Sequence, residues 1–368
     1  MKRFHLLLTC AVALLFTLTL SPSLTTANAE RPAKSSRGET VEGQHSEVLA
    51  KKKPKKKKVK KKKRAAKCKT KKQKRKARCK KASKRSWAYA IDTKNRAAVN
   101  AAYMSQYAPG IAIRPDWTGN NANCVAGSIS NASLTASHRA INLMRSLAGL
   151  TPITLSGDLN YKAQQAALIM SANSALSHHP SSSWKCHSAV GAAAAGVSNI
   201  GLQYPWLSSA GIVGAYMNET GSNNTFVGHR RWLLNPFATV MGIGSTTFSN
   251  AIVVVAPERK SNPNPAWVSW PTENYFPYPL EPNRRWSLSS GNKSANFSGA
   301  TVSMTKGNGI PVGTQKFAPK NGYAQPTLVW TVGEDIDQTA TYNVSVRNIK
   351  IGGKSVNYSY KVNMFYPN

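Results

Sequence analysis

Between residues 86 and 280 the acid–base inventory is short: His138, His178, His179, His187 and His229, with Asp92, Asp116, Asp158, Glu219, Glu258 and Glu273. Asp158 and Asp92 stand near expected helix starts, where an acid caps the first turn and meets the helix dipole. His138 precedes Arg139 in an expected helix and reads as a surface residue. Three segments are left: Ser177-His178-His179-Pro180, Asn218-Glu219-Thr220 and Gly228-His229-Arg230-Arg231-Trp232. They fall in loops or at element ends, where functional side chains concentrate. If His178, His229 and Glu219 converged, two imidazoles and a carboxylate would suit a divalent metal, zinc above all, with one coordination position left for water. Spacings of about 40 and about 10 residues are not those of His-Glu-x-x-His. The same residues also read as buried hydrogen-bonding groups that hold loops together. There is no Gly-x-Ser-x-Gly elbow, phosphate-binding glycine loop or dinucleotide fingerprint.

Positioning these groups requires a folded body, and the charge distribution shows where it begins. The chain has 368 residues and a formal net charge of +36. Residues 51–85 contain 24 Lys/Arg and no acid, whereas residues 86–368 contain 21 basic and 10 acidic residues. So few carboxylates exclude a multi-ligand calcium protein. Self-repulsion keeps residues 30–87 extended, as a segment able to hold anionic polymers or lipid head groups or, failing that, a solvated spacer. Ahead of it, Lys2-Arg3, an apolar run over Leu6–Leu20 and Ala27-Asn28-Ala29 predict a signal peptide over 1–29, and hence a secreted or periplasmic chain. No segment after residue 25 is long and apolar enough to cross a bilayer. In an exported chain the four remaining cysteines allow three disulfide pairings. The favoured one joins Cys124 to Cys186 in the folded part and Cys68 to Cys79 in the basic segment, which leaves no free thiol nucleophile there. A zinc site built from all four cysteines has no Cys-x-x-Cys pair to support it.

From about residue 88 the pattern becomes globular. Helices are expected over Asp92–Tyr107, Thr135–Ala148, from Asp158 to near Ser174, and over Ser209–Met217. β-Branched runs predict strands over Thr239–Ser245 and Asn250–Ala256. Six prolines between Pro263 and Pro282 are too many for central strands, and mark a boundary between a domain over 88–270 and one over 280–368. The second reads as all-β. Its strands start near Arg285, Ala300 and Thr327, and a hairpin turns at Gly352-Gly353; together they suggest a small immunoglobulin-like sandwich.

The run Ile141-Asn142-Leu143-Met144-Arg145-Ser146-Leu147-Ala148-Gly149-Leu150-Thr151-Pro152-Ile153 resembles the opening helix of the CAP superfamily (cysteine-rich secretory proteins, antigen 5, pathogenesis-related 1). Ser177-His178, Ser198-Asn199-Ile200, Gly228-His229-Arg230 and Met241-Gly242-Ile243-Gly244 follow in that family's order, over roughly 120–258. Trp184-Lys185-Cys186 and Gly228-His229-Arg230-Arg231-Trp232 resemble a secreted bacterial subgroup with a β-rich C-terminal extension. The resemblance implies an α+β chain whose first domain is an α-β-α sandwich. It implies a cleft with two histidines and two acids, placing His178 (or His179), Glu219 and His229 in it. Ser198 stands where the family often has Glu, so one carboxylate is missing. Members are linked to sterol or lipid binding, signalling and defence, with scattered claims of proteolysis.

The leading expectation is an exported, non-enzymatic module that binds a small apolar or lipid-like ligand at His178, Ser198, Glu219 and His229 and is held to anionic polymers by residues 51–85. One rival is a metal-assisted hydrolase with His178, His229 and Glu219 as ligands. The other is an adhesion or matrix protein with an inert cleft.

Overall fold

The computed structural model describes residues 91–219, 221–222, 224–259, 265–281 and 283–368. The expected signal peptide, the basic segment and the Cys68–Cys79 pair lie outside these residues. The chain is mixed α+β, with several helices and three sheets.

The first part opens with helices α1 (Arg96–Gln106), α2 (Ala108–Ile111) and α3 (Asn131–Leu147). The hydroxyl of Ser130 accepts from the Ser133 amide to start α3, and Gly149, at φ +70°, turns the chain after it. His138, expected at the surface, is half-buried, and its Nε2 lies 2.9 Å from the Ile153 carbonyl. Strand β1 (Thr154–Leu155) leads into α4 (Gly157–Asn173), capped by Ser156. Helix α5 (Ala189–Gly196), strand β2 (Ser198–Leu202), helices α6 (Gly211–Asn218) and α7 (Gly228–Leu233), and strands β3 (Val240–Ser245) and β4 (Ser249–Val253) complete this part. The sheet runs in the order β1-β3-β4-β2, with β1 parallel to β3 and the other pairs antiparallel.

Alternation along the strands puts helices on both faces of this sheet. Ile200, Ala251 and Val253 pack with Ala163, Ala166 and Ile169 of α4 and Ala194 of α5. Met241, Ile243 and Ile252 join Ile141, Leu143 and Met144 of α3 and Val213 and Met217 of α6. Glycine is required at two positions of β3. A Cβ on Gly242 would lie 2.2 Å from the Leu159 backbone, and one on Gly244 would lie 2.2 Å from the Gln164 amide nitrogen. Helix α4 therefore rests directly on the strand's backbone. Cys124 and Cys186 are disulfide-bonded across 62 residues, with Cα atoms 5.0 Å apart.

In the proline-rich stretch lie β5 (Trp267–Trp270) and β6 (Asn274–Pro277), both at sheet edges, where proline's missing donor costs no ladder bond. Next come β7 (Arg285–Ser290), β8 (Thr301–Lys306), β9 (Ile310–Val312), β10 (Thr314–Lys316), β11 (Thr327–Val332), β12 (Thr341–Ile351) and β13 (Lys354–Phe365). Gly352 and Gly353, at φ +55° and +78°, make the tight turn between the last two strands. Two sheets result, β10-β11-β7-β5 and β6-β13-β12-β8-β9. They share a core in which Trp286 meets Tyr342 edge-on at 5.5 Å and the Trp330 indole N–H points at the Met304 sulfur, 3.2 Å away. The described residues all belong to one contact unit, and the apolar cluster of α3 and α6 continues into this core.

Strand β7 is buried on both faces. Trp286 and Leu288 enter the core between the sheets, while Ser287 and Ser289 are buried on the opposite side. Arg285 and Ser287, on that side, meet the first part of the chain. Among the described residues no helix is long and apolar enough to cross a membrane.

Candidate functional site

Helix α6 ends on Glu219, whose backbone is left-handed (φ 52°, ψ 49°). Eight residues later Val227 is also left-handed, just ahead of α7. Glu219 itself lies against the start of α7. One Glu219 oxygen accepts from the Arg230 amide at 3.1 Å. The other accepts from the Asn224 side-chain amide at 2.5 Å and lies 3.3 Å from His229 Nδ1. Because a carboxylate only accepts, this last contact favours a proton on Nδ1, whereas the Asn224 side-chain nitrogen, a donor that also lies 3.3 Å from Nδ1, favours a lone pair there. The Glu219 side chain is 3 % exposed and the His229 side chain 28 %, so the acid is enclosed and the imidazole reaches solvent.

One aromatic ring faces His229, and two more flank its neighbour Gly228. The Tyr216 ring lies 4.9 Å from the imidazole, and its hydroxyl donates to Asn250 Oδ1 at 3.0 Å. Burial, and then the nearby Glu219 charge, hold the Tyr216 phenol well above its ordinary pKa, so it remains a neutral donor. Phe226 and Tyr323 stand 4.4 Å apart beside Gly228, with the Lys320 ammonium 4.2 Å from the Phe226 ring centre. Asn199 of β2 holds the His229 carbonyl at 3.1 Å.

His178 and Ser198 both meet the last turn of α5. The Ser198 hydroxyl donates to the Ala194 carbonyl at 2.7 Å, and His178 Nδ1 lies 2.9 Å from the Ala195 carbonyl, both in the last turn of α5. Neighbouring strand residues point to opposite faces, so Ser198 looks toward α5 while Asn199 looks toward His229. His178 and His179 are exposed. The structure thus joins Glu219 to His229, and gives His178 and Ser198 neighbouring partners of their own. Among the described residues no three His, Cys, Asp or Glu side chains gather as a metal-binding group.

Three buried cations frame this arrangement, and sequence reasoning gave none of them a role. Arg145 is fully enclosed and donates to the carbonyls of Thr151, Leu233 and Asn235 at 2.8–2.9 Å, closing the end of α7. Burial, and secondarily Arg259, pull its pKa down to about 9, which leaves it charged at neutral pH. Arg230 donates to the Met217 and Arg285 carbonyls, to Ser287 Oγ, and to Glu281 at 2.8 Å. Arg231 donates to the carbonyls of Lys320 and Gln325. The only signal in the sequence was the adjacent Arg230-Arg231 pair after His229.

Residues 138–256 match the family described as Cysteine-rich secretory protein family, CAP. Among solved structures, PcoC, a methionine-rich copper resistance protein from Escherichia coli, is 15 % identical, with 26 % of this chain and 92 % of that one covered and a TM-score of 0.21. Its selenomethionine form is 19 % identical, with 29 % and 99 % covered and a TM-score of 0.20. Both scores are too low to carry a fold assignment. No curated protein matches the chain.

Proposed function

Since this chain carries a CAP domain over residues 138–256, we propose that it is an exported, non-enzymatic binding module. In this reading His229 is the polar anchor for a small apolar or lipid-like ligand. One observation carries the reading. Glu219 is occupied by donors from Asn224 and Arg230 and by the His229 contact, which leaves His229 Nε2, beside the Tyr216 ring, as the nitrogen of the pair without a partner among the described residues. An apolar surface with few fixed polar groups is the composition of a ligand site. Ser198 supplies no charge where the family often has an acid, so a pair of acids is not on offer. The Cys124–Cys186 disulfide supports export into an oxidising compartment. We read the two facing sheets of the second part as an immunoglobulin-like structural module, and residues 51–85 as the anchor to an anionic polymer or membrane surface.

A fluorescent fatty acid serves as the probe for the cleft. Saturable binding that His229→Ala weakens at least tenfold, with the melting temperature kept, supports the reading; equal binding by the variant defeats it. For the anchor, co-sedimentation with phosphatidylglycerol vesicles should fall steeply with salt and vanish when residues 51–85 are deleted. Binding that persists in high salt without that segment defeats the anchor.

A metal-assisted hydrolase has one observation in its favour. Each of His178 and His229 has its Nδ1 against an oxygen, the usual posture of a ligating imidazole with Nε2 free. A third protein ligand fits less well, because Glu219 would have to release donors to bind zinc. Zinc titration of the wild type, His178→Ala and His229→Ala tests it. Stoichiometric zinc lost in both variants supports the metal, and no retained zinc defeats it.

A further inference from the structure

We propose that Arg285, which belongs to the β-rich second part of the chain, is a positioning residue for the Glu219–His229 pair, so that the second part completes the site of the first. The proposal rests on the reading of His229 as the anchor.

Glu219 has a left-handed backbone at the end of α6, a conformation that a non-glycine residue keeps only when its surroundings fix it. The carbonyls at this helix end point away from the helix and need donors. Arg230 supplies one guanidinium, to Met217 O at 2.5 Å and Asn218 O at 3.4 Å. Arg285 supplies the other: the same Nη1 donates to the carbonyls of Glu219 and Gly221. Among the described residues no other donor reaches those two carbonyls. Two cations thus sit at the negative end of α6, where the helix dipole favours them. The residue whose carbonyl Arg285 holds is the one whose carboxylate orients His229.

Arg285 can act as a fixed reference because it is itself immobilised. It lies on β7, which pairs with β5 on one side and β11 on the other. Its amide donates to Glu281 Oε1 at 3.2 Å, and its carbonyl accepts from Arg230 at 2.8 Å. Its guanidinium stands 5.4 Å from the centre of the Phe317 ring. Losing the Arg285 contacts would free the Glu219 backbone to leave the left-handed region and carry its carboxylate away from His229 Nδ1. The Asn224 amide nitrogen would then remain as the partner of Nδ1, which favours moving the imidazole proton to Nε2.

The test is the His229 tautomer, read from the ring-nitrogen shifts of full-length protein labelled with nitrogen-15. Arg285→Met keeps the apolar stem over Phe317 and removes the charge and donors. If the Glu219 contact governs the ring, the wild type should show mainly Nδ1–H. Arg285→Met should show a mixture with Nε2–H at unchanged circular dichroism, and Arg285→Lys should restore most of the Nδ1–H form. Arg284→Ala, which removes a cation paired with Asp335, should leave the spectrum unchanged. A wild-type tautomer in folded Arg285→Met overturns the proposal. If that variant does not fold, the wild type decides: the Arg285 guanidinium protons should be protected from exchange and show restricted rotation, and a freely rotating group overturns it. Neither readout uses a ligand, so failure to bind the fatty acid probe would count against the anchor reading alone.

Discussion

Arg230 and Glu281 meet at 2.8 Å with side chains 1 % and 0 % exposed, and the pair links the helix that carries His229 to the strand that carries Arg285. Burial dominates both ends. It lowers the Arg230 pKa and pushes the Glu281 carboxyl up to about 7, against the pull of Arg230 and of the Arg285 and Asn283 amides.

The first prediction follows from the sign of that shift. Glu281 holds its proton more tightly when folded than when unfolded. Its contribution to stability is therefore complete below about pH 4.5 and is lost as pH rises through about 7. A shift of this size corresponds to about 3 kcal/mol. Urea unfolding at pH 5 and pH 8 should show wild type losing stability relative to Glu281→Gln over that interval. Parallel pH dependence in the two proteins would refute the assignment.

A second prediction concerns Arg145. Its guanidinium serves three backbone carbonyls at 2.8–2.9 Å; in Arg145→Met the Asn235 carbonyl keeps the Ala238 amide at 3.2 Å, while those of Thr151 and Leu233 lose their donor. The expected cost is about 2–5 kcal/mol, at one to a few kcal/mol for each of the two orphaned groups. Arg145→Lys should recover only part of it, because an ammonium lacks the planar fork. Urea midpoints decide, and a loss below about 1 kcal/mol would show that the carbonyls find other partners.

The third prediction uses glycine. Gly244→Ala places a methyl group 2.2 Å from the Gln164 amide nitrogen, so α4 must lift from β3, whereas Gly157→Ala meets nothing within 4 Å. The first should cost roughly 3 kcal/mol or more, since overpacking against backbone has no cheap relief. The second should change stability by less than about 1 kcal/mol. Equal thermal stability of the two variants would contradict the close approach.

The Cys124–Cys186 bond gives a fourth. Closing a loop of 62 residues should contribute about 4 kcal/mol in the chain-entropy account. Cys124→Ser/Cys186→Ser should lower the urea midpoint accordingly, and adding reductant should lower wild type but not the variant.

How far the sequence could be read depended on where each residue's partner lies. The α3 and α4 helices were visible from apolar spacing and caps within each segment, and the β12–β13 hairpin from Gly352-Gly353. The repeated glycines of Met241-Gly242-Ile243-Gly244 were noted as a resemblance; the structure gives the physical cause, a helix backbone lying on a strand. Glu219 and His229 were selected as candidates, but their pairing depends on two left-handed turns that no periodicity announces. The contacts of Arg230 with Arg285 and Glu281, and of Arg285 with Glu219, could not be read because each spans more than 50 residues. The polar positions of Arg285-Trp286-Ser287-Leu288 look solvent-facing by alternation. Ser287 is instead buried against Arg230.

That strand has two neighbours to satisfy at once. Changing Trp286 to suit one sheet would tilt the frame on which Arg285 and Ser287 stand, so mutations deep in the β-rich half should register at an imidazole in the helical half. Grafting either half onto a foreign scaffold would then require carrying over this strip of six residues, Arg285–Ser290, with both of its sides unchanged.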